Sequence, residues 1–234
     1  MNRVPLRSEF TNLPRHVNWF PGHMRKAMRT MPLEFKKIDV FIEVRDARIP
    51  ITSQNTDLIE LLPERTKRIV VYNKIDLVPD KAALEKIKKL HAETKIPFMH
   101  LSTKENININ KLKTFIQQKA SPEFKTVGSW LMIGGIPNVG KSTIINSLRK
   151  RDSEVNHTKK SGARTGGVPC VTKAVSGFKI ITDPPTYLKD TPGIIIPKIN
   201  QPLDGLKLCA CNCIRDGIVE YENVIDYILF ELNR

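Results

Sequence analysis

The segment Gly135-Ile-Pro-Asn-Val-Gly-Lys-Ser142 does most to restrict what this chain can become. It reads as a phosphate-binding loop. Such a loop works only between a strand end and a helix start, because the first N–H groups of the helix must point at the anion. Ser129 to Ile133 has strand character before it, and Lys141 to Arg149 has helical spacing after it. Backbone N–H groups from Asn138 through Val139 and Gly140 to Ser142 are expected to cradle the phosphates, with Thr143 in the same first turn. Lys141 is expected to reach the β and γ oxygens and serve catalysis there, while the Ser142 hydroxyl ligates Mg²⁺.

The rest of the chain supplies a matching framework. Val40 to Val44, Arg68 to Tyr72, Phe98 to Leu101, Val171 to Thr182 and Tyr187 to Lys189 read as further strands. Lys81 to His91 and Asn110 to Gln118 carry apolar residues at helical spacing, and helices are also read from about Leu203 and about Val224. Strands alternating with helices imply a parallel sheet. The expected fold class is α/β, a three-layer P-loop GTPase fold around a mostly parallel six-stranded sheet. Ala120 to Gly128 reads as a linker between two halves of one domain. Lys150 to Cys170 is basic, aperiodic and long enough for a functional loop. The domain reading is a basic extension over residues 1–37, a nucleotide-binding domain over 38–202 and a helical segment over 203–234.

Two motifs address the base. Asn73-Lys74-Ile75-Asp76 follows a strand, and the Asp76 carboxylate can accept both N–H groups of the guanine Watson–Crick edge, which adenine does not offer. A site built on such bonds rejects an analogue lacking them by about 10⁴ to 10⁵. Ser102-Thr103-Lys104 ends the next strand and corresponds to the loop that backs the base. Two further positions address the γ-phosphate and metal. Asp190-Thr-Pro-Gly193 places a carboxylate to face Mg²⁺ and the Gly193 N–H to sense the γ-phosphate, and Thr172 is a candidate switch threonine completing the Mg²⁺ shell.

Motif order is the informative point. The base motifs at 73 and 102 precede the phosphate loop at 135, which precedes Thr172 and Asp190, whereas in Ras-like GTPases the phosphate loop comes first. Circular permutation costs little physically, because all these loops leave the same edge of a parallel sheet and domain termini often lie close together.

Trp19-Phe-Pro-Gly-His-Met24, Asp46-Ala-Arg48 and the permuted order together resemble the YlqF/RbgA-like ribosome-assembly GTPases over roughly Val17 to Arg234. The leader and Ala163-Arg-Thr-Gly-Gly167 are most similar to the mitochondrial member of that family. The resemblance implies GTP/GDP and Mg²⁺ as ligands, the large ribosomal subunit and its rRNA as partner, and GTP hydrolysis that times release. It implies a mitochondrial location, in the matrix or peripherally at the inner membrane, with cytoplasmic or bacterial ribosomes as the alternative because the presequence is poor. A GTP-dependent RNA-binding module with negligible hydrolysis is the rival function. Cys170 departs from the family's usual Gly, and relatives often continue into a further helical RNA-binding domain. Ile194 stands where Ras-like enzymes place the water-positioning Gln, so hydrolysis is expected to be slow alone and stimulated on the ribosome. His23 is the candidate water-positioning residue, against a structural role in ordering the turn after Pro21 and Gly22. For Asp46 and Arg48 an internal ion pair ordering the loop is the simpler expectation.

Net charge agrees with a polyanion partner. The chain carries 38 Lys and Arg against 24 Asp and Glu, for a formal charge of +14. Met1 to Lys37 and Arg149 to Lys179 each hold eight bases and two acids, while Leu203 to Arg234 reverses sign with six acids against three bases. No apolar run approaches the length of a membrane span. No dimer signal is visible, so a monomer is expected. Cys209, Cys211 and Cys213 alternate at a spacing that suits neither a zinc ribbon nor a secreted disulfide framework, and reduced, partly buried thiols are expected.

Overall fold

The computed structural model describes residues 7–13, 31–78, 81–119, 128–155, 177–189, 199, 201–214 and 219–233. Six strands form one sheet: β1 (Val40–Asp46), β2 (Lys67–Asn73), β3 (Phe98–His100), β4 (Ser129–Gly134), β5 (Gly177–Ile181) and β6 (Thr186–Lys189). Their spatial order is β3-β2-β1-β4-β6-β5, with every pairing parallel except β5 on β6. The mostly parallel sheet expected from the sequence is therefore present, and its antiparallel pair sits at one edge.

The central strands are buried on both faces because helices cover both. On one side Val40, Ile42, Val44, Ile69, Val71, Leu131 and Ile133 meet three helices that follow the loops of the sheet: α3 (Ile109–Lys119), α4 (Lys141–Val155) and α5 (Pro202–Ala210). α6 (Tyr221–Leu232) joins this layer through Val224 and Tyr227. On the other side Phe41 and Met132 pack on Phe35, Ile38 and Leu58, the last from α1 (Thr56–Glu60). Val70 and Tyr72 pack there on Ile87 of α2 (Lys81–Thr94). The result is three layers.

Adjacent central strands send their chains to opposite faces: β1 leads to α1 on one side and β4 to α4 on the other. Such a reversal opens a crevice at the carboxyl ends of the two strands, which is where ligands bind in open α/β sheets.

Inside the α1–α2 layer lies a charged network that hydrophobic patterning does not announce. Glu43 is fully buried yet bonds Arg45 Nη2 at 2.9 Å, Arg68 Nη2 at 2.6 Å and the Asn55 N–H at 3.2 Å. Arg45 faces Tyr72 on the next strand, and the Tyr72 hydroxyl lies 2.9 Å from His91 Nε2. Burial of such charges is tolerated because each has partners.

The chain's two ends also meet. Phe10 packs edge-on against Tyr227 at 5.4 Å and against Phe230 at 5.6 Å, while Arg7 donates to Asp226 at 3.0 Å. Part of the basic excess of the first residues is thus spent on the acidic face of α6. Among the described residues no helix is long and apolar enough to cross a membrane.

Candidate nucleotide site

The phosphate loop spans the gap from β4 to α4 over the end of β1. Gly135 has φ 142°, and a Cβ there would lie 2.3 Å from the Val44 carbonyl oxygen, so only glycine lets the backbone pass. Gly140 has φ 97°, and a Cβ on it would come within 2.2 Å of Asn73 Nδ2. The first bond of α4 closes from Ile144 N to the Gly140 carbonyl at 3.0 Å. Preceding N–H groups of the first turn have no partner inside the helix and, with the helix dipole, form an anion site. Ser142 and Thr143 are exposed in that turn.

Lys141 Nζ donates to the Ile136 carbonyl at 2.6 Å, folded back along its own loop. Burial lowers its pKa to about 8. A cation held so far below its ordinary value gains most from an anion, since a negative neighbour favours the charged form.

Asn73 joins the motifs. Its Nδ2 donates to the Val139 carbonyl at 2.8 Å, and its Oδ1 accepts from the Thr103 N–H at 3.2 Å. One side chain therefore fixes the phosphate loop and the Ser102–Lys104 loop relative to β2. Ser102 is fully buried and its hydroxyl accepts from the Glu105 N–H at 3.0 Å, tightening the same loop. Lys104 is exposed at its outer side, 3.9 Å from Glu105.

Lys74 adopts the left-handed conformation, φ 64° and ψ 35°, and turns the chain into a short 3-10 helix, Ile75–Leu77. Asp76 sits in that turn, and its Oδ1 is buried without a hydrogen-bond partner among the described residues. A buried carboxylate oxygen left unpaired is costly. A guanine edge, with adjacent N1–H and N2–H groups, offers the donors that such an oxygen accepts.

Three contacts escaped the sequence reading. Asn138 Nδ2 donates to the Asn212 carbonyl at 2.9 Å, tying the phosphate loop to the turn after α5. Asp46 and Arg48 form the expected ion pair, at 2.7 Å, and are also bonded to Lys74 Nζ at 2.9 Å and to the Cys211 carbonyl at 2.8 Å respectively. Burial pushes the Asp46 carboxyl up, but Arg48 and Lys74 outweigh it and hold the group below its usual range. The Asp46 bond raises the Arg48 guanidinium in turn. Asn212 and Cys211 enter through main-chain carbonyls, which carry no sequence signature. Cys209 and Cys213 are buried and Cys211 is half-buried, and burial raises the Cys211 thiol and takes Cys213 to about 12, so neither of these two is a reactive thiolate. His23, Thr172, Asp190 and Gly193 lie outside the described residues.

Asn73, Thr103, Val139, Gly140 and Lys141 thus converge at the sheet's carboxyl edge, with Lys74 and Asp76 on the adjoining turn. Fold and loops together define a P-loop GTPase with circularly permuted motif order. The chain belongs to the RsgA GTPase family, whose profile matches residues 51–200. It is 35% identical to mouse mitochondrial ribosome-associated GTPase 1 over 93% of this chain and 67% of that protein. It is likewise 34% identical to mitochondrial GTPase 1 of Schizosaccharomyces pombe, covering 92% and 71%, and 35% identical to the Aedes aegypti protein of that name, covering 97% and 74%. GNP-bound YlqF from T. maritima shares the fold at a TM-score of 0.63 and 20% identity, over 89% of this chain and 77% of that one. GTP hydrolysis and guanine-nucleotide binding follow from the family. The expected mitochondrial location is borne out by the relatives, each named for the mitochondrion.

Proposed function

We propose that this chain is a GTP-driven assembly factor of the mitochondrial large ribosomal subunit, bound to rRNA-rich particles with GTP and released on hydrolysis. The observation that carries the reading is its 33 to 35% identity, over 93 to 99% of its length, to proteins named mitochondrial ribosome-associated GTPase 1. The charge of +14 supports it, since Lys and Arg that neutralise phosphates supply most sequence-independent affinity for nucleic acid.

In this reading residues 38–202 are the nucleotide unit, flanked by the basic segment 1–37 and the helical segment 203–234, and the chain works as a monomer. Asp76 reads guanine, framed by Asn73, Lys74, Ser102, Thr103 and Lys104. Residues Asn138 to Thr143 hold the phosphates, with the Lys141 ammonium on the transferred group and the Gly193 N–H sensing it. Ser142, Thr172 and Asp190 supply the hydroxyl and carboxylate oxygens that a hard cation takes, and Mg²⁺ held by them offsets charge on the phosphates. His23 positions the attacking water, or orders its own turn. Ile194, Ile195 and Ile196 offer no polar side chain for that task, so turnover is slow until a particle completes the site.

Co-sedimentation tests the partner. The chain loaded with a non-hydrolysable GTP analogue is expected to pellet with purified mitochondrial large-subunit particles, and the GDP-loaded chain to stay in the supernatant. Equal behaviour of the two forms would sink the release step, and no pelleting of either would sink the partner.

A further inference from the structure

Asp46 ends β1 at the register position opposite Asn73 of β2 and is fully buried. A carboxylate there persists only with donors around it. Arg48 grips both its oxygens, Nε to Oδ1 at 2.9 Å and Nη2 to Oδ2 at 2.7 Å. Lys74 Nζ lies 2.9 Å from Oδ2 on the other flank. The backbone is fixed as well: the Asp46 N–H donates to the Ser53 hydroxyl at 3.1 Å, and the Ala47 N–H to the Asn73 carbonyl at 2.9 Å. Arg48 is held from behind by the Cys211 carbonyl. The carboxylate therefore has one place to be, and Lys74 is drawn to it.

Lys74 is also where the chain leaves β2. Its left-handed backbone, φ 64°, is one that residues with a side chain rarely adopt, and it sets the direction of the short helix that carries Asp76 two residues later. An anchor on the Lys74 side chain thus acts on the aim of the Asp76 carboxylate. Catalytic and binding groups work only when their own supports hold them to within about half an ångström.

We propose that Asp46 is a positioning residue for base recognition: by holding the Lys74 ammonium it fixes the left-handed turn and sets where Asp76 meets the guanine edge. Arg48, through the Cys211 carbonyl, makes the turn after α5 part of the same support. This rests on Asp76 reading guanine, as proposed above.

Calorimetric affinities for GDP, for IDP, which lacks the exocyclic amino group, and for ADP test it in wild type, Asp46→Asn, Lys74→Met and the double variant. Asp46→Asn keeps the shape and removes the charge; it is expected to weaken GDP about tenfold, as neighbouring coupled groups do. IDP binding changes less, so the GDP-to-IDP ratio narrows. The double variant binds GDP no more weakly than Lys74→Met alone. A merely structural role predicts a lower melting temperature with an unchanged GDP-to-IDP ratio, and that result, or losses that add in the double variant, overturns the proposal. Should Asp46→Asn fail to fold, Asp46→Glu keeps the charge but displaces it, and the same ratio decides. If wild type binds ADP as tightly as GDP, the reading of Asp76 fails instead.

Discussion

Lys141 carries its function in its surroundings. Buried against the Ile136 carbonyl, it has a pKa of about 8 without an anion beside it. A phosphate adjacent to the ammonium raises that value, so at pH above 8 binding must draw a proton from solution and affinity must fall as pH rises. At pH 8.5, calorimetry of GTP binding in buffers of different ionisation enthalpy is expected to report net proton uptake. Lys141→Arg, charged throughout, is expected to abolish most of it; uptake unchanged in that variant would assign the proton elsewhere. At this scale the sequence was legible wherever function needs several residue types at fixed spacing, as in Gly135 to Ser142 and Asn73 to Asp76. It was illegible where the second partner is a distant acid or a backbone carbonyl. Nothing in the sequence distinguishes Asp46 from the other acids as the partner of Lys74, nor marks the Asn212 carbonyl as the acceptor for Asn138.

Single elements behave the same way. The apolar run at Val40 to Val44 predicted β1, but the strand continues to Asp46, through Arg45, because charges on it find partners on β2 and in the loops. α1 had no periodicity to detect, being five residues long and held by Asn55, whose side chain accepts from the Leu58 N–H at 3.0 Å. Within the expected Val171 to Thr182 strand, β5 occupies Gly177–Ile181, and residues 171–176 are outside the described part. α2 was read correctly, yet not the role of its last turn. His91 accepts from the Tyr72 hydroxyl through Nε2 and donates from Nδ1 to the Ile96 carbonyl, since that carbonyl can only accept. Burial lowers its pKa, with Arg45 and Arg68 adding to the shift against the Ile96 bond. The unfolded chain then binds more protons below about pH 6.5, so stability falls on acidification through that value. Urea denaturation between pH 7.5 and 5.5 is expected to follow this course, with a shallower decline in His91→Gln. A decline of equal steepness in the variant would place the titrating group elsewhere, the half-buried His100 being the next candidate.

On the scale of the whole molecule, permutation leaves the site intact because its parts are edge loops of one sheet, held together by Asn73 and by the turn after α5 rather than by chain continuity. Charge is divided accordingly. Residues 203–234 are acidic in sum, α5 and α6 help to cover one sheet face, and Asp226 takes Arg7. Bases remain in excess over Met1 to Lys37 and Arg149 to Lys179, which flank the nucleotide loops in sequence. In the proposed function, a polyanion bound to those segments stimulates hydrolysis in a chain that has Ile194 where Ras-like enzymes place the water-positioning Gln. The most direct test is GTP hydrolysis by the purified chain with and without mitochondrial large-subunit particles, with ATP and Asp76→Ala as controls. Turnover that is slow alone, rises at least about tenfold with particles and is confined to GTP and intact Asp76 is the predicted result. Turnover unchanged by particles would contradict the account.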